Sequence, residues 1–117
     1  MTSIPSLLAN HAVHAASMQL DYEDLPASKA VSGAPRVGTA VLGHMGDNTI
    51  GVWEMSPSVS TDTEADEFFI VLTGSGTVSF ADGSPDLHLQ AGSVGHLKEG
   101  TQTTWTVTHT LRKIYIA

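Results

Sequence analysis

The residues most able to do chemistry are carboxylates crowded into positions 62–67, namely Asp62, Glu64, Asp66 and Glu67. Oxygen donors at that density could hold a hard cation such as calcium; the plainer reading is a solvated loop. Glu67 differs from its neighbours because it heads the apolar run Phe68-Phe69-Ile70-Val71-Leu72. A carboxylate against such a wall is a candidate general base or ligand-binding group. The alternative is a buried carboxylate satisfied by a threonine hydroxyl or by Lys113. Strand alternation would put Phe69 and Val71 on its side, and Phe68, Ile70 and Leu72 on the other.

Lys113 shares one face of the final apolar stretch with Leu111 and Tyr115. An unpaired buried ammonium is costly, so an inward Lys113 needs a carboxylate, Glu67 or an acidic group of a substrate. The opposite parity sends it to solvent, where lysine guards a strand edge against aggregation. Trp105 falls on one face with Thr103 and Val107 and would shape a pocket wall suited to a planar ligand. Trp53 is read as core packing. Of the six histidines, His11 and His14 have helical i, i+3 spacing, but a surface or core role is the plainer reading for them. His96 could line a pocket.

Composition narrows the class. A chain of 117 residues, 41% hydrophobic and 15% charged, suits one packed domain. Twelve acidic against five basic residues give a formal charge of −7, which argues against nucleic acid or an anionic membrane as partner. No cysteine is present, so disulfides, thiolate metal sites and cysteine nucleophiles are excluded. The start of the chain lacks the basic and apolar regions of a secretory signal, and no run reaches the roughly 18 apolar residues of a membrane span. A soluble cytoplasmic protein is the expectation.

The elements that must position these groups follow from the pattern. Residues 1–35 read as an N-terminal arm against the barrel or a partner subunit, with a short helical turn near Leu7 to Met18. From Arg36 the period becomes two. Strands are expected at Val37–Leu42, Thr49–Met55, Glu67–Leu72, Thr77–Phe80, Leu87–Leu89, Ser93–Leu97, Thr103–Thr108 and Leu111–Ile116. A polar loop is expected from Ser56 to Asp66, and Gly74-Ser75-Gly76 reads as a turn. Short strands at roughly ten-residue spacing indicate a sandwich or barrel.

Glu67 followed by Gly74, a Gly-x-Val-x-Phe strand, the Asp82-Gly83 hairpin and Ala91-Gly92 resemble the two conserved motifs of the cupins. Gly51-Val52-Trp53-Glu54, Gly100 before Trp105, and Arg112-Lys113-x-Tyr115 are similar to small single-domain cupins related to (S)-ureidoglycine aminohydrolase and to the ethanolamine-utilisation cupin. The resemblance implies an all-β jelly-roll barrel over residues 36–117, with Glu67 at a metal-ligand position. The histidines of metal-binding cupins are missing. One spacing places Thr61 and Thr63 at the first pair and the other gives Ser60 and Asp62, while Thr103 replaces the last histidine. Hydroxyls are poor transition-metal ligands.

The expectation is therefore a barrel with no metal or other cofactor that binds a small polar metabolite. Glu67 and Lys113 are its candidate catalytic residues, and Thr61, Thr63, Phe69, Thr103, Trp105 and Tyr115 its candidate ligand-binding residues. The resemblance suggests a ureido or amide compound as ligand. Rival readings are a metal-dependent aminohydrolase-like enzyme and a non-catalytic dimerising or regulatory module. The apolar outer face of Glu67 to Leu72, together with the resemblance, implies a homodimer.

Overall fold

A computed structural model describes residues 7–117, and among them the chain forms nine strands and no helix. The strands are β1 (Asp21–Asp24), β2 (Ala30–Ser32), β3 (Arg36–Met45), β4 (Asn48–Met55), β5 (Ser58–Thr63), β6 (Glu67–Phe80), β7 (Leu87–Gln90), β8 (Val94–Leu97) and β9 (Gln102–Ile116). All pairings are antiparallel, in the order β1-β3-β4-β9-β5-β2, with β6 joined to β7, β8 and β9. No described helix is long and apolar enough to cross a membrane.

Two long strands curl this sheet into an all-β barrel. The first half of β6 pairs with β8 and the end of β9; its second half pairs with β7 and the start of β9. The register shifts three times between Val71 and Gly76, and such bulges bend and twist a strand. Gly74 makes the bend possible. Its φ is +88°, and a side chain there would run into the Thr110 carbonyl of β9. The Gly74-Ser75-Gly76 element is thus a bulge inside one strand, not a turn between two. The stretches expected at Thr103–Thr108 and Leu111–Ile116 are likewise one continuous strand.

The inner face of the barrel carries the main core. Met55, Phe69, Val71, Val78, Leu89, Leu97, Trp105, Val107 and Leu111 pack there, all buried. A second cluster of Leu20, Ala40, Leu42 and Val52 lies on the outer face of β3 and β4, with Ala15, Met18 and Ile114 against it. The N-terminal segment supplies its cover. Arg112, buried on that outer face, holds the segment in place: Nη1 donates to the carbonyls of Ala15 (2.8 Å) and Met18 (2.7 Å), and Nε pairs with Glu54 at 2.9 Å. No helical turn forms near Leu7 to Met18. The segment makes isolated turns, and carbonyls that a helix would use internally are taken by the guanidinium.

The polar stretch from Ser56 to Asp66 contains a strand, β5, where a loop was expected. Its two register neighbours explain why the sequence hides it. Ser60 stands opposite Trp105 and Asp62 opposite Thr103, so its inward face is polar and no apolar alternation marks it.

Candidate functional site

One open end of the barrel holds a cavity of about 370 Å³, lined from β4, β5, β6, β9 and the N-terminal segment. Lys113 lies at its heart. The register sets Lys113 beside Trp53 on β4 and Val71 on β6, so its side chain points inward among apolar neighbours. Lys113 is only 4% exposed, and its ammonium donates to Glu67 Oε2 at 2.5 Å. The rings of Trp53, Phe69 and Trp105 each have their centroid 4.7 Å from Nζ. A carboxylate and three ring faces therefore replace the water that the ammonium loses on burial.

Glu67 lies at the start of β6 with Phe69 and Val71 on its side, fully buried, while Phe68 and Ile70 are exposed on the other. Tyr115 joins the wall two residues beyond Lys113, its phenol lying over Gly51, where any side chain would collide with it. Burial, and secondarily the charge of Glu67, raises its pKa above the usual 10.0.

The other expected ligand-binding residues are placed differently. Phe69 has no exposed surface and acts as the floor beneath the ammonium, not as lining. Thr103 is buried, and its hydroxyl is engaged with Glu64 at 2.6 Å. Thr61 is exposed and lines both the cavity and a shallow groove beside it, its hydroxyl donating to the Lys29 carbonyl at 3.4 Å. Thr63 is exposed and borders the groove alone. Of the two spacings, it is the one giving Ser60 and Asp62 that faces the cavity, because their cross-strand partners Trp105 and Thr103 are inward.

Glu64 is the residue that sequence reasoning misplaced. It belongs to the acidic stretch read as a solvated loop, yet it is 8% exposed and lines the cavity. Its Oε2 accepts from Thr103 Oγ1 and from Trp105 Nε1 at 2.9 Å, and its backbone is tied to Gly100 and Thr101. A signal was present: Glu64 continues the alternation Ser60, Asp62 toward the two polar side chains of β9. At the mouth, Lys29 pairs with Asp62 at 3.0 Å across a solvent-exposed gap.

A transition metal, which the barrel type often holds, does not suit this donor set. The inward positions offer the hydroxyls of Ser60 and Thr103 and an Asp62 carboxylate engaged by Lys29 where imidazoles would be needed, and Glu67 is already paired with an ammonium. No three histidine, aspartate or glutamate side chains converge among the described residues.

A curled antiparallel barrel with an open, side-chain-lined end is the cupin architecture. Residues 42–115 match the EutQ-like cupin domain (Cupin_3), and the chain belongs to that family. Among solved structures, EutQ of Clostridium difficile is similar at 16% identity and TM-score 0.67, over 90% of this chain and 83% of that one. A DUF861-family protein of unknown function from Pseudomonas syringae reaches TM-score 0.74 at 23% identity, over 86% of this chain but only 45% of its own. A Rhizobium leguminosarum protein of unknown function is 26% identical with TM-score 0.62, over 68% of this chain and 78% of that one. No curated protein matches.

Proposed function

We propose that this chain is a small-molecule-binding cupin that works without a metal, its ligand seated in the barrel cavity above the Glu67–Lys113 pair. The observation behind this reading is that pair itself. A buried ammonium, fixed by a carboxylate and three aromatic faces, occupies the region where the family resemblance puts a metal ligand. Trp53, Trp105 and Tyr115 give flat apolar walls, and Ser60, Asp62 and Glu64 give polar contacts, the usual make-up of a small-molecule site. The resemblance to the ureidoglycine aminohydrolase subgroup suggests a small polar nitrogen compound. If a reaction follows binding, Glu67 moves the proton and Lys113 stabilises developing negative charge.

The second reading, a non-catalytic dimerising or regulatory module, draws on the exposed apolar residues Phe68, Ile70 and Val94 of the outer face. A thermal-shift screen against small metabolites separates the two. Ligand-specific stabilisation of the wild type that disappears in both Glu67→Gln and Lys113→Met supports the pocket. A silent screen leaves the module reading ahead.

A further inference from the structure

We infer that the cavity selects a small organic cation, an ammonium or amidinium group, and that Glu64 is the residue that recognises its charge. The inference rests on the reading of the cavity as a binding site and specifies its ligand class.

It begins with an imbalance. Buried carboxylates are ordinarily paired with a cation. Glu54 has Arg112, Glu67 has Lys113, and Asp62 at the mouth has Lys29. Glu64 is 8% exposed, yet no cationic side chain pairs with it among the described residues. Its two donors, the Thr103 hydroxyl and the Trp105 indole, are both neutral.

Among the described residues no cationic side chain is left to supply one. It owns five basic residues. Lys29, Arg36, Arg112 and Lys113 are each committed to another carboxylate. The fifth, Lys98, is exposed and takes no part in the cavity wall, and neither does any histidine. No cationic side chain among the described residues is thus left to pair with Glu64.

Two under-used oxygens belong to residues of the cavity wall, Glu64 Oε1 and the Ser60 hydroxyl. Every fully buried side-chain polar atom among the described residues has a partner, so Glu64 Oε1, which takes no hydrogen bond, is not sealed off, and Glu64 lines the cavity. Ser60, 2% exposed, also lines it, and its hydroxyl has only the Met55 thioether at 3.5 Å. A carboxylate oxygen and an under-used hydroxyl in a cavity that two indoles also line suit N–H donors carrying positive charge. Cavity carboxylates Asp62, Glu64 and Glu67 outnumber the cavity lysines Lys29 and Lys113, which disfavours an anion. A bare metal ion is disfavoured because no three acidic or histidine ligands converge among the described residues.

The test compares near-isosteric probes of different charge at matched ionic strength: acetamidinium and ethylammonium, neutral acetamide and urea, and acetate. Binding is read by thermal shift and by the Trp105 indole N–H resonance, whose hydrogen bonds to Glu64. The expected result is saturable binding of at least one cation, with neutral and anionic probes at least tenfold weaker. Glu64→Gln keeps an acceptor for Thr103 and Trp105 while removing the charge, and should weaken the cation at least tenfold. The charge comparison in the wild type needs no variant, so it decides the matter even if Glu64→Gln does not fold. Equal binding of acetamide or urea, or undiminished cation binding in a folded Glu64→Gln, overturns the inference and leaves the cavity reading intact. Silence from every probe counts against both. Stoichiometric uptake of a metal ion that is lost in Glu64→Gln replaces the organic cation with a metal.

Discussion

At the scale of single residues, the Lys113–Glu67 pair sets the terms. Both side chains are nearly closed to solvent, so removing one partner strands the other's charge. Lys113→Met and Glu67→Gln should each cost about 3–5 kcal/mol, and the double variant clearly less than their sum. Urea denaturation of the three variants checks this; strict additivity would mean that the pair is not coupled. The two tyrosines make a second prediction. Burial raises the phenols of Tyr115 and Tyr22 above 10.0, helped in Tyr115 by the Glu67 charge and in Tyr22 by Glu54. A raised folded-state value means that both stabilise the fold fully below pH 10, and that this contribution is lost as pH climbs through the folded values. Ultraviolet titration of the native protein should therefore show tyrosinate later than in the denatured chain, and stability should fall with pH in that alkaline window. Glu67 and Lys113 were legible mainly through the resemblance, which put Glu67 at a ligand position and favoured an inward Lys113, supported by the rule that a buried charge needs a partner. For Glu64 the only signal was the alternation it continues from Ser60 and Asp62, because the two neutral donors that hold it are distant in the chain.

At the scale of elements, the arm and the bulge carry the consequences. Arg112 binds two backbone carbonyls of the N-terminal segment and also Glu54, whose other oxygen accepts from Tyr22 at 2.5 Å. Arg112→Met should free residues 15–24 to proteases and lower stability by about 3 kcal/mol, since the largely buried Glu54 loses its cation and two carbonyls lose their donor. Limited proteolysis with mass spectrometry reads the first effect; a cleavage pattern like the wild type's would count against the latch. Gly74→Ala adds a side chain both at positive φ and against the Thr110 carbonyl, and should cost at least about 2 kcal/mol in thermal unfolding. Strands with one apolar face were legible from alternation: β3, β4, β7 and β8 lie close to where the pattern put them. β5 was not, because its inner face lines a polar cavity. The continuity of β6 and β9 was not either, because a glycine that permits a bulge looks in sequence like one that ends a strand.

At the scale of the whole molecule, charge and exposed apolar surface pull in opposite directions. A net charge of −7 keeps copies apart, yet Phe68 is 51% and Val94 70% exposed on the outer face, where Phe68 stacks on His96 at 4.1 Å. We propose that two copies cover this face in a homodimer. Light scattering at tens of micromolar should give twice the chain mass, and Phe68→Glu should halve it while leaving the circular dichroism of the fold unchanged. A wild-type monomer at that concentration would dismiss the dimer. The aromatic box around Lys113 has one more consequence, an optical one. The chain contains two tryptophans, and both face the same ammonium, with their ring centroids 5.6 Å apart. Its native indole emission thus arises wholly from one cavity, so a fluorimeter can follow occupancy of that cavity with no label, no engineered chromophore and no background from elsewhere in the fold.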